Sequence, residues 1–379
     1  MMKTNIFVIY GGQSAEHEVS LITAQTVIQS LDRSRYRIVP IYISEAGNWH
    51  CQGELAGNSN GDSLSAAAPK PHDITIDMLK MSGKAAESRS LTPVLSLAEV
   101  MQTYWSTNEP KVVFPVIHGT FGEDGTLQGL LEMLQLPYVG SGVLASAAGM
   151  DKETMKHLLS GLDIGQASYR TLLFYEWRAH EEQICAELEV FPGFPCYVKP
   201  ANMGSSIGIN RCKNRDELKA ALKTAFQYDH KLLIEEEIVG REVQFAVLGN
   251  EEPQCSVGGE FVREADFFDY EKKYKSGRLI KQIPARITAG VEQHLRESAL
   301  RIYKRLGGSG LMRIDFFVTA EDQCYFNEVN TLPGFTMNSM FPALWEATDG
   351  TTYGELLDRL IELAMERYKN KQSIRLVRG

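Results

Sequence analysis

Four polar side chains in two neighbouring apolar runs could form a metal site. Arg313 and Asp315 belong to the first run, and Glu328 and Asn330 belong to the second. Because side chains of a strand alternate between its two faces, a hairpin that pairs the runs in register places all four on one face. Two buried carboxylates need a nearby cation. Oxygen ligands from Asp, Glu and Asn suit Mg²⁺, especially when phosphate oxygens complete its coordination shell.

Arg313 offers a simpler explanation of the same cluster. Its guanidinium could neutralise Asp315 and Glu328 without any metal, because ion-pair networks are common in folded proteins. This explanation does not account for Asn330 or for the turn at residues 331–334 directly behind it.

Lys199 marks a candidate anion site. It closes an apolar run that is typical of a strand, which is an unusual position for a charge unless an anion meets it. Residues 201–208 follow directly and are rich in glycine and serine, so their N–H groups and hydroxyls could bind phosphate oxygens. The segment lacks the Gly-Lys-Ser/Thr of a Walker A loop and could be a plain hairpin turn. With Lys199 before it, phosphate binding is the better interpretation.

Three further residues have both a functional and an ordinary structural interpretation. Glu16, near a predicted helix N-terminus, could complement the helix dipole or could hold a cationic substrate group. His118 ends an apolar run before a glycine-rich segment that would allow close approach of a ligand, although a structural histidine is the safer interpretation. Lys152 could be an ordinary exposed helix lysine.

Acidic residues end another predicted strand. Three consecutive glutamates begin at Glu235 and would normally form a solvated edge. Glu235 and Glu242 could instead accept hydrogen bonds from an adenine amino group and from ribose hydroxyls.

Residues 263–281 form a long polar segment with several aromatic side chains, and Lys273 and Tyr274 lie within it. A loop of this length inside a compact domain is more often an active-site lid than a plain connection. We expect it to be mobile without ligand and to close when a ligand binds. The alternative is a loop packed permanently on the domain surface.

The elements that must position these residues alternate between strands and helices, which predicts an α/β fold. Residues 6–10 and 112–117 are continuous apolar runs typical of central strands in a parallel sheet. A glycine turn and a helix to about residue 30 follow the first run, as in nucleotide-binding α/β domains. The third glycine of G-x-G-x-x-G is missing, so a dinucleotide is only weakly indicated. Residues 57–71 are low in complexity and predict a surface loop.

Composition narrows the classes of function. With 379 residues the chain predicts two or three domains. A formal net charge of -9 without a basic run argues against nucleic acid as the main partner. The apolar run at the N-terminus is too short for a signal peptide or a membrane span, which predicts a cytoplasmic protein. The six cysteines lack a C-x-x-C pair and predict buried free thiols.

Taken together, these segments resemble the D-alanine–D-alanine ligases of the ATP-grasp superfamily over nearly the whole chain. The chain departs from the family pattern at residues 57–71, which have no counterpart, and at Met312, where a small residue is usual. The resemblance is carried by separated motifs in one order: G-G-x-S-x-E-H-x-V-S (11–20), H-G-x-x-G-E-D-G (118–125), G-S-G (140–142) with M-D-K (150–152), K-P (199–200) with G-S-S (204–206), F-D-Y (268–270) with K-Y (273–274), R-x-D (313–315) and E-x-N-T-x-P-G (328–334).

The resemblance implies a three-domain ATP-grasp fold with ATP held between the central and C-terminal parts. The expected division is an N-terminal Rossmann-like substrate domain at residues 1–140, a central subdomain at 141–234 and a C-terminal subdomain at 235–379. It also implies a homodimer that uses ATP with Mg²⁺, for which Mn²⁺ can substitute. The implied reaction joins two D-alanines through an acyl phosphate and supplies peptidoglycan synthesis.

Roles for individual residues also follow from the resemblance. The nucleotide would be held by Lys152 and Lys199 at the phosphates, Lys273 at the γ-phosphate, Glu235 and Ile238 at the adenine, and Glu242 at the ribose. The implied Mg²⁺ ligands are Asp315, Glu328 and Asn330. The implied catalytic set is Arg313 and the Gly334 amide at the oxyanion, Glu16 at the first ammonium, Ser339 at the second carboxylate, and Tyr274 hydrogen-bonded to Ser205 and Glu16.

Two rival classes of protein make different predictions. An ATP-grasp enzyme with another carboxylate and nucleophile would keep the metal and lysine set, but should not keep Glu16, Tyr274 and Ser339 together. A catalytically dead binding protein should have lost a metal ligand, and none is lost from this sequence.

The second substrate is predicted to be D-alanine, with D-lactate used poorly or not at all. In the family that this chain resembles, ligases that make D-alanyl-D-lactate can carry a histidine in place of the lid tyrosine. Some ligases with altered second substrates carry an arginine at the position of Met340. This chain keeps Tyr274, and Met340 adds no charge beside Ser339.

Overall fold

A computed structural model describes residues 3–51, 53–54, 74–80, 92–263 and 279–375. The predicted surface loop at 57–71 and most of the predicted lid, including Lys273 and Tyr274, lie outside the described residues. The described strands form three sheets.

The first sheet is built on the predicted central strand. That strand pairs in parallel with the second and fourth strands of the sheet, and the third strand is antiparallel at one edge. Its apolar side chains are buried on both faces, which explains the continuous apolar run at residues 6–10. The strands are Thr4–Gly11, Tyr36–Ile43, Trp49–Cys51 and Lys111–Pro115, and the helices around them are His17–Ser30, Pro93–Val100, the π-helix Met101–Trp105 and Thr126–Met133.

The second sheet is antiparallel and carries Lys199 on an inner strand. Its core is formed by apolar residues of the strands and of the helices packed on them. In spatial order the strands are Tyr169–Leu173, Lys231–Glu236, Cys196–Pro200 and Asn210–Cys212. The helices in this part of the chain are Val143–Met150, Lys152–Leu159, the 3-10 turn Ser160–Leu162, Phe174–Ala179, Glu181–Val190 and Arg215–Ala225.

The third sheet contains the predicted hairpin. In spatial order its strands are Leu279–Gln282, Gly259–Arg263, Arg241–Gly249, Gly310–Val318 and Cys324–Asn330, and Gln254–Cys255 pairs with Arg241–Gly249. The helices are Ala289–Leu306, Met340–Asp349 and Tyr353–Gln372. The last two pack into the same core as the first sheet, so the two ends of the chain share one hydrophobic cluster.

The hairpin has the predicted register. Arg313 pairs with Asn330, and Asp315 pairs with Glu328. Between them Ile314 points to the opposite face and is fully buried in an apolar cluster. The alternation of the sequence therefore places all four polar groups on one face, and the register shifts directly after Asp315.

The structure also bears on the predictions about the cysteines, the remaining helices and the domain boundaries. All six cysteines are free thiols, as predicted, but only four are buried, because Cys51 and Cys324 are half-buried. Outside the named strands, Val113 forms an isolated parallel bridge with Tyr138. The helices Arg215–Ala225 and Met340–Asp349 were not predicted. Within the described residues, every helix falls short of the length and apolar character that a bilayer crossing requires. The division into domains stays a prediction, and the strand Lys231–Glu236 spans the proposed boundary at 234.

Candidate active site

The end of the hairpin forms the centre of the site. The Arg313 guanidinium donates to both carboxylate oxygens of Asp315, with Nε 2.9 Å from Oδ1 and Nη2 2.7 Å from Oδ2. Asn330 Nδ2 donates to Asp315 Oδ2 at 3.2 Å. Asp315 is fully buried, and burial raises the pKa of its carboxyl although Arg313 opposes the rise. The arginine therefore pairs with Asp315, as the simpler sequence hypothesis held.

Glu328 is different, because no described residue forms an ion pair with it. Its charge instead acts over a longer range on Lys152 and Lys199. Since the Asn330 amide donates through Nδ2, its oxygen stays available as a ligand. The donor chemistry of Asp315, Glu328 and Asn330 thus fits a hard cation. Within the described residues, however, no group of three His, Cys, Asp or Glu side chains could hold a metal, and the predicted set has only two carboxylates.

A cavity of about 470 Å³ opens between the second and third sheets. The side chains predicted to bind adenine and ribose, Glu235, Ile238 and Glu242, all line it, and Lys199 does so too. Tyr197 and Phe326 add aromatic surface to its walls. The cavity therefore combines the flat apolar walls and the polar groups that a purine nucleotide needs.

Glu235 lies between two lysines in this cavity. Its Oε1 is 2.8 Å from Lys156 Nζ, and its Oε2 forms an ion pair with Lys199. Burial alone would raise the pKa of Glu235, but the charges of Lys199 and Lys156 outweigh burial and lower the pKa to about 2. Glu235 is therefore a buried carboxylate that stays ionised, and the solvated edge considered from the sequence is wrong for this residue. Lys156 was not among the predicted residues.

Glu242 faces the same cavity from the third sheet. Its side chain is exposed to the opening, and Gln244 Nε2 lies 3.3 Å from its Oε1. Partial burial by the cavity walls, together with the charges of Asp315 and Glu328, raises the pKa of Glu242 to about 7. The carboxylates on this side of the cavity thus repel one another.

A second cavity of about 340 Å³ adjoins the first and is lined by residues of all three sheets and their loops. It shares Glu242 and Glu328 with the first cavity. Lys152 lines it and donates from Nζ to the carbonyl of Met203 at 2.7 Å. Burial lowers the pKa of Lys152, which is not the exposed helix lysine that the sequence allowed. The second cavity brings together predicted residues from distant parts of the chain: Glu16, Lys152, Ser205, Arg313, Glu328, Asn330 and Gly334.

The glycine- and serine-rich segment reaches across to the N-terminal part of the chain. Ser205 Oγ donates a hydrogen bond to Glu16 Oε1, so these two residues of the predicted set are in contact. Ser205 and Ser206 have φ of 49° and 56°, in the left-handed region that is unfavourable for residues other than glycine. Ser205 lines the second cavity, and Ser206 lines both cavities. Tyr274, the third member of the predicted set, lies outside the described residues.

Two residues of the H-G-x-x-G-E-D-G motif hold the loop that carries Gly334. His118 Nδ1 lies 3.1 Å from the Leu332 carbonyl, so the neutral ring donates there, and Glu123 Oε1 accepts from the Leu332 N–H at 3.0 Å. Glu123 Oε2 also accepts from Gly119 N at 2.7 Å. Burial raises the pKa of Glu123 to about 8, and the charge of Glu16 adds to the rise. His118 is thus buried and hydrogen-bonded, and both His118 and Glu123 line the second cavity. Glu123 was not predicted as a site residue.

Ser339 begins the helix Met340–Asp349 next to the second cavity. Its Oγ accepts from Thr336 N at 2.9 Å, and it lies beside Gly334, because a Cβ on Gly334 would be 3.4 Å from that Oγ. Met340 is only 3% exposed and packs in the core rather than in the site.

Comparison with known proteins gives consistent matches over the full length. Sequence models described as D-ala D-ala ligase N-terminus and D-ala D-ala ligase C-terminus match residues 5–141 and 158–362. The D-alanine–D-alanine ligase of Bacillus cytotoxicus is 46% identical over 377 residues, covering 99% of each chain. That of Geobacillus thermodenitrificans is 45% identical, covering 98% of each.

Solved structures are similar as well. The D-alanine–D-alanine ligase of Coxiella burnetii has a TM-score of 0.78 and 32% identity, covering 98% of this chain and 97% of that one. The VanG D-Ala:D-Ser ligase of Enterococcus faecalis has a TM-score of 0.76 and 35% identity, covering 96% of this chain and 99% of that one.

Proposed function

Because the chain belongs to the D-alanine–D-alanine ligase family, with an ATP-grasp fold, we propose that it joins two D-alanines into D-alanyl-D-alanine with conversion of ATP to ADP and phosphate. The product serves peptidoglycan synthesis. The observation that carries the proposal is the pair of adjoining cavities. They share Glu328 and Glu242, so a nucleotide in one cavity would present its terminal phosphate to a carboxylate in the other.

The larger cavity is the proposed nucleotide site. Glu235 would accept a hydrogen bond from the adenine amino group, and Ile238 would contact the ring. Glu242 would bind the ribose. Lys199 lines the larger cavity and Lys152 lines the second cavity, and both would bind the phosphates. Lys273 would reach the γ-phosphate from the lid.

The hairpin face is the proposed metal site. Asp315, Glu328 and the Asn330 oxygen would hold Mg²⁺, or Mn²⁺ in its place. When bound, the ion neutralises the charge of the nucleotide phosphates. The support for this assignment is the excess of negative charge at this face, where Arg313 pairs with Asp315 and Glu328 has no ion-pair partner among the described residues.

In the first step an oxygen of the D-alanine carboxylate bonds to the γ-phosphorus, and the bond to ADP breaks. Glu16 would hold the ammonium group of this D-alanine, with Ser205 keeping the glutamate in place. The product is an acyl phosphate with the first D-alanine still bound. Most of the catalysis in such transfers comes from positioning and from charge stabilisation.

In the second step the amine of another D-alanine, having lost a proton, attacks the acyl carbon. A tetrahedral intermediate forms and releases phosphate as the amide bond is completed. Arg313 and the Gly334 N–H would stabilise the oxyanion, and Ser339 would bind the carboxylate of the second D-alanine. Tyr274 would complete the site from the lid, hydrogen-bonded to Ser205 and Glu16.

Release of ADP with D-alanine, compared with D-serine, D-lactate and L-alanine, tests the function. Efficient ADP release with D-alanine alone supports the proposal. Preference for an unrelated carboxylate would assign another ATP-grasp reaction, and absence of turnover with every compound would indicate a binding protein. D-serine is included because the VanG relative is a D-Ala:D-Ser ligase. We propose D-alanine as the second substrate here, in a cytoplasmic homodimer.

A further inference from the structure

Lys156 is a buried cation that neither the sequence motifs nor the proposed roles above use. It lies on the helix Lys152–Leu159, its side chain is 2% exposed, and its Nζ is 2.8 Å from Glu235 Oε1. The same Nζ lies 5.1 Å from the centre of the Tyr169 ring, within cation–π distance. These contacts fix the ammonium group at the inner end of the nucleotide cavity.

The two lysines that flank Glu235 are not equivalent. Lys199 is 13% exposed and lies on the strand that leads into the phosphate-binding loop, so it can turn from Glu235 to a phosphate. Lys156 is enclosed and cannot follow the phosphates. When a nucleotide draws Lys199 away, Lys156 is the cation that stays on Glu235.

We propose that Lys156 is a positioning residue that holds Glu235 as an ionised, acceptor-only group and thereby makes the cavity prefer a 6-amino purine to a 6-oxo purine. The proposal rests on the proposed nucleotide site and deepens it. Lys156 acts through Glu235 and does not contact the reacting atoms.

Hydrogen-bond chemistry supplies the selectivity. An ionised carboxylate only accepts hydrogen bonds, and each oxygen keeps a free lone pair after bonding one lysine. The 6-amino group of adenine donates to such an acceptor, whereas the 6-oxo group of hypoxanthine would face it with another acceptor. A protonated Glu235 could donate to the 6-oxo group, and the selectivity would fall.

The surroundings of Glu235 favour its neutral form once Lys156 is removed. Burial opposes ionisation of a carboxyl, and a lysine already engaged by phosphate would no longer offset that cost. The charged and titratable groups that face Glu235 in the described structure are Lys156, Lys199, Lys152, Tyr169 and Tyr197.

Direct binding of ATP and ITP to the full-length chain tests the proposal. ITP carries hypoxanthine and differs from ATP at the 6-position. Calorimetric titration with Mg²⁺ present would compare the wild type with Lys156→Met, which removes the charge, and with Lys156→Arg, which keeps it. We expect the ratio of ATP to ITP affinity to fall about tenfold or more in Lys156→Met, the scale of one charge-assisted hydrogen bond, and to be largely retained in Lys156→Arg.

A second pair of variants keeps the test decisive if Lys156→Met does not fold. Glu235→Gln and the double variant Lys156→Met/Glu235→Gln bury no unpaired carboxylate. If Lys156 acts through Glu235, the two variants have the same ATP to ITP ratio. A further change of the ratio in the double variant would overturn the proposal, as would a folded Lys156→Met that loses affinity for ATP and ITP equally.

The binding measurement does not depend on the amino-acid substrate. A chain that binds ATP selectively but releases no ADP with D-alanine would refute the proposed function and leave the role of Lys156 standing. If the wild type makes D-alanyl-D-alanine but Lys156→Met leaves the ratio of ATP to ITP affinity unchanged, the proposed function holds and the role of Lys156 is refuted.

Discussion

Glu235 and Glu242 line one cavity, but their carboxyls ionise very differently. Glu235 is buried and Glu242 faces the opening, so burial alone would make Glu235 the harder of the two to ionise. The opposite holds, because the pKa is about 2 for Glu235 and about 7 for Glu242. Glu235 lies between two lysines, whereas Glu242 lies near Asp315 and Glu328.

This difference shows that the two ends of the cavity differ in how their carboxylates are neutralised. Lysines of the chain neutralise Glu235 at one end, whereas the carboxylates at the hairpin end are only partly neutralised. At the end of the cavity near Glu235, Lys156 and Lys199 balance the carboxylate. The hairpin end has an excess of carboxylates that Arg313 only partly offsets, so a cation brought by the nucleotide would stabilise it.

Removing a carboxylate from the hairpin end should have the largest effect on activity. We expect Asp315→Asn and Glu328→Gln to abolish turnover while the fold stays intact, because each removes a negative ligand of the proposed Mg²⁺. ADP release and a thermal unfolding curve would be measured for each. Glu321→Gln, the same kind of change at an exposed carboxylate in the turn of the hairpin, is the control. Near-normal activity of either variant at low Mg²⁺ would contradict the assignment.

Removing the cation of the hairpin end should have the next largest effect. Arg313→Met is expected to lower kcat about 100-fold or more, the scale for losing one oxyanion donor. Steady-state kinetics with D-alanine measures this effect. A change confined to KM would instead assign Arg313 to ground-state binding.

A smaller effect concerns stability rather than catalysis. The pKa of Glu123 is about 8 in the folded chain against an ordinary value of 4.5, so the folded chain holds an extra proton between these pH values. The free energy of unfolding should therefore fall as pH rises through this window, and the stabilisation is greatest below it. Denaturant unfolding would give the free energy of unfolding at pH 5 and at pH 8. The difference between these two free energies should be smaller for Glu123→Gln than for the wild type. Equal pH differences would show that Glu123 is ionised in the folded chain.

The smallest expected effect is on the second substrate. In competition near neutral pH, we expect D-alanyl-D-alanine to exceed the ester D-alanyl-D-lactate, because a neutral tyrosine at position 274 provides no cation to favour an anionic hydroxy acid. A product mixture rich in the ester would show that Tyr274 does not set this preference. Its position beside Ser339 in the sequence suggested that Met340 also affects the choice of second substrate. Because its side chain is buried in the core, Met340 is less suited to that role.

The sequence was sufficient to predict the hairpin and the residues on its face. The alternation of Arg313, Ile314 and Asp315 favours the register that buries Ile314 and brings Asp315 opposite Glu328. The strand of residues 6–10 was equally clear, because a parallel strand buried on both faces is continuously apolar.

The groups that the sequence did not reveal depend on contacts between distant segments. Lys156 is one lysine on an amphipathic helix, and only the folded chain brings it to Glu235. Glu123 binds the backbone of Leu332, which leaves no side-chain pattern to detect. The helix Met340–Asp349 contains Pro342 in its first turn, where proline is tolerated but obscures the helical pattern.

Transfer of oxygen from D-alanine to phosphate tests the central claim most directly. If the two cavities bring the carboxylate of the first D-alanine to the γ-phosphate, that carboxylate oxygen stays on phosphorus when the amine displaces phosphate. With D-alanine labelled by ¹⁸O in its carboxyl group, the account predicts one labelled oxygen in each inorganic phosphate released, together with D-alanyl-D-alanine. Unlabelled phosphate would show that water attacks ATP, and would contradict an acyl-phosphate ligase.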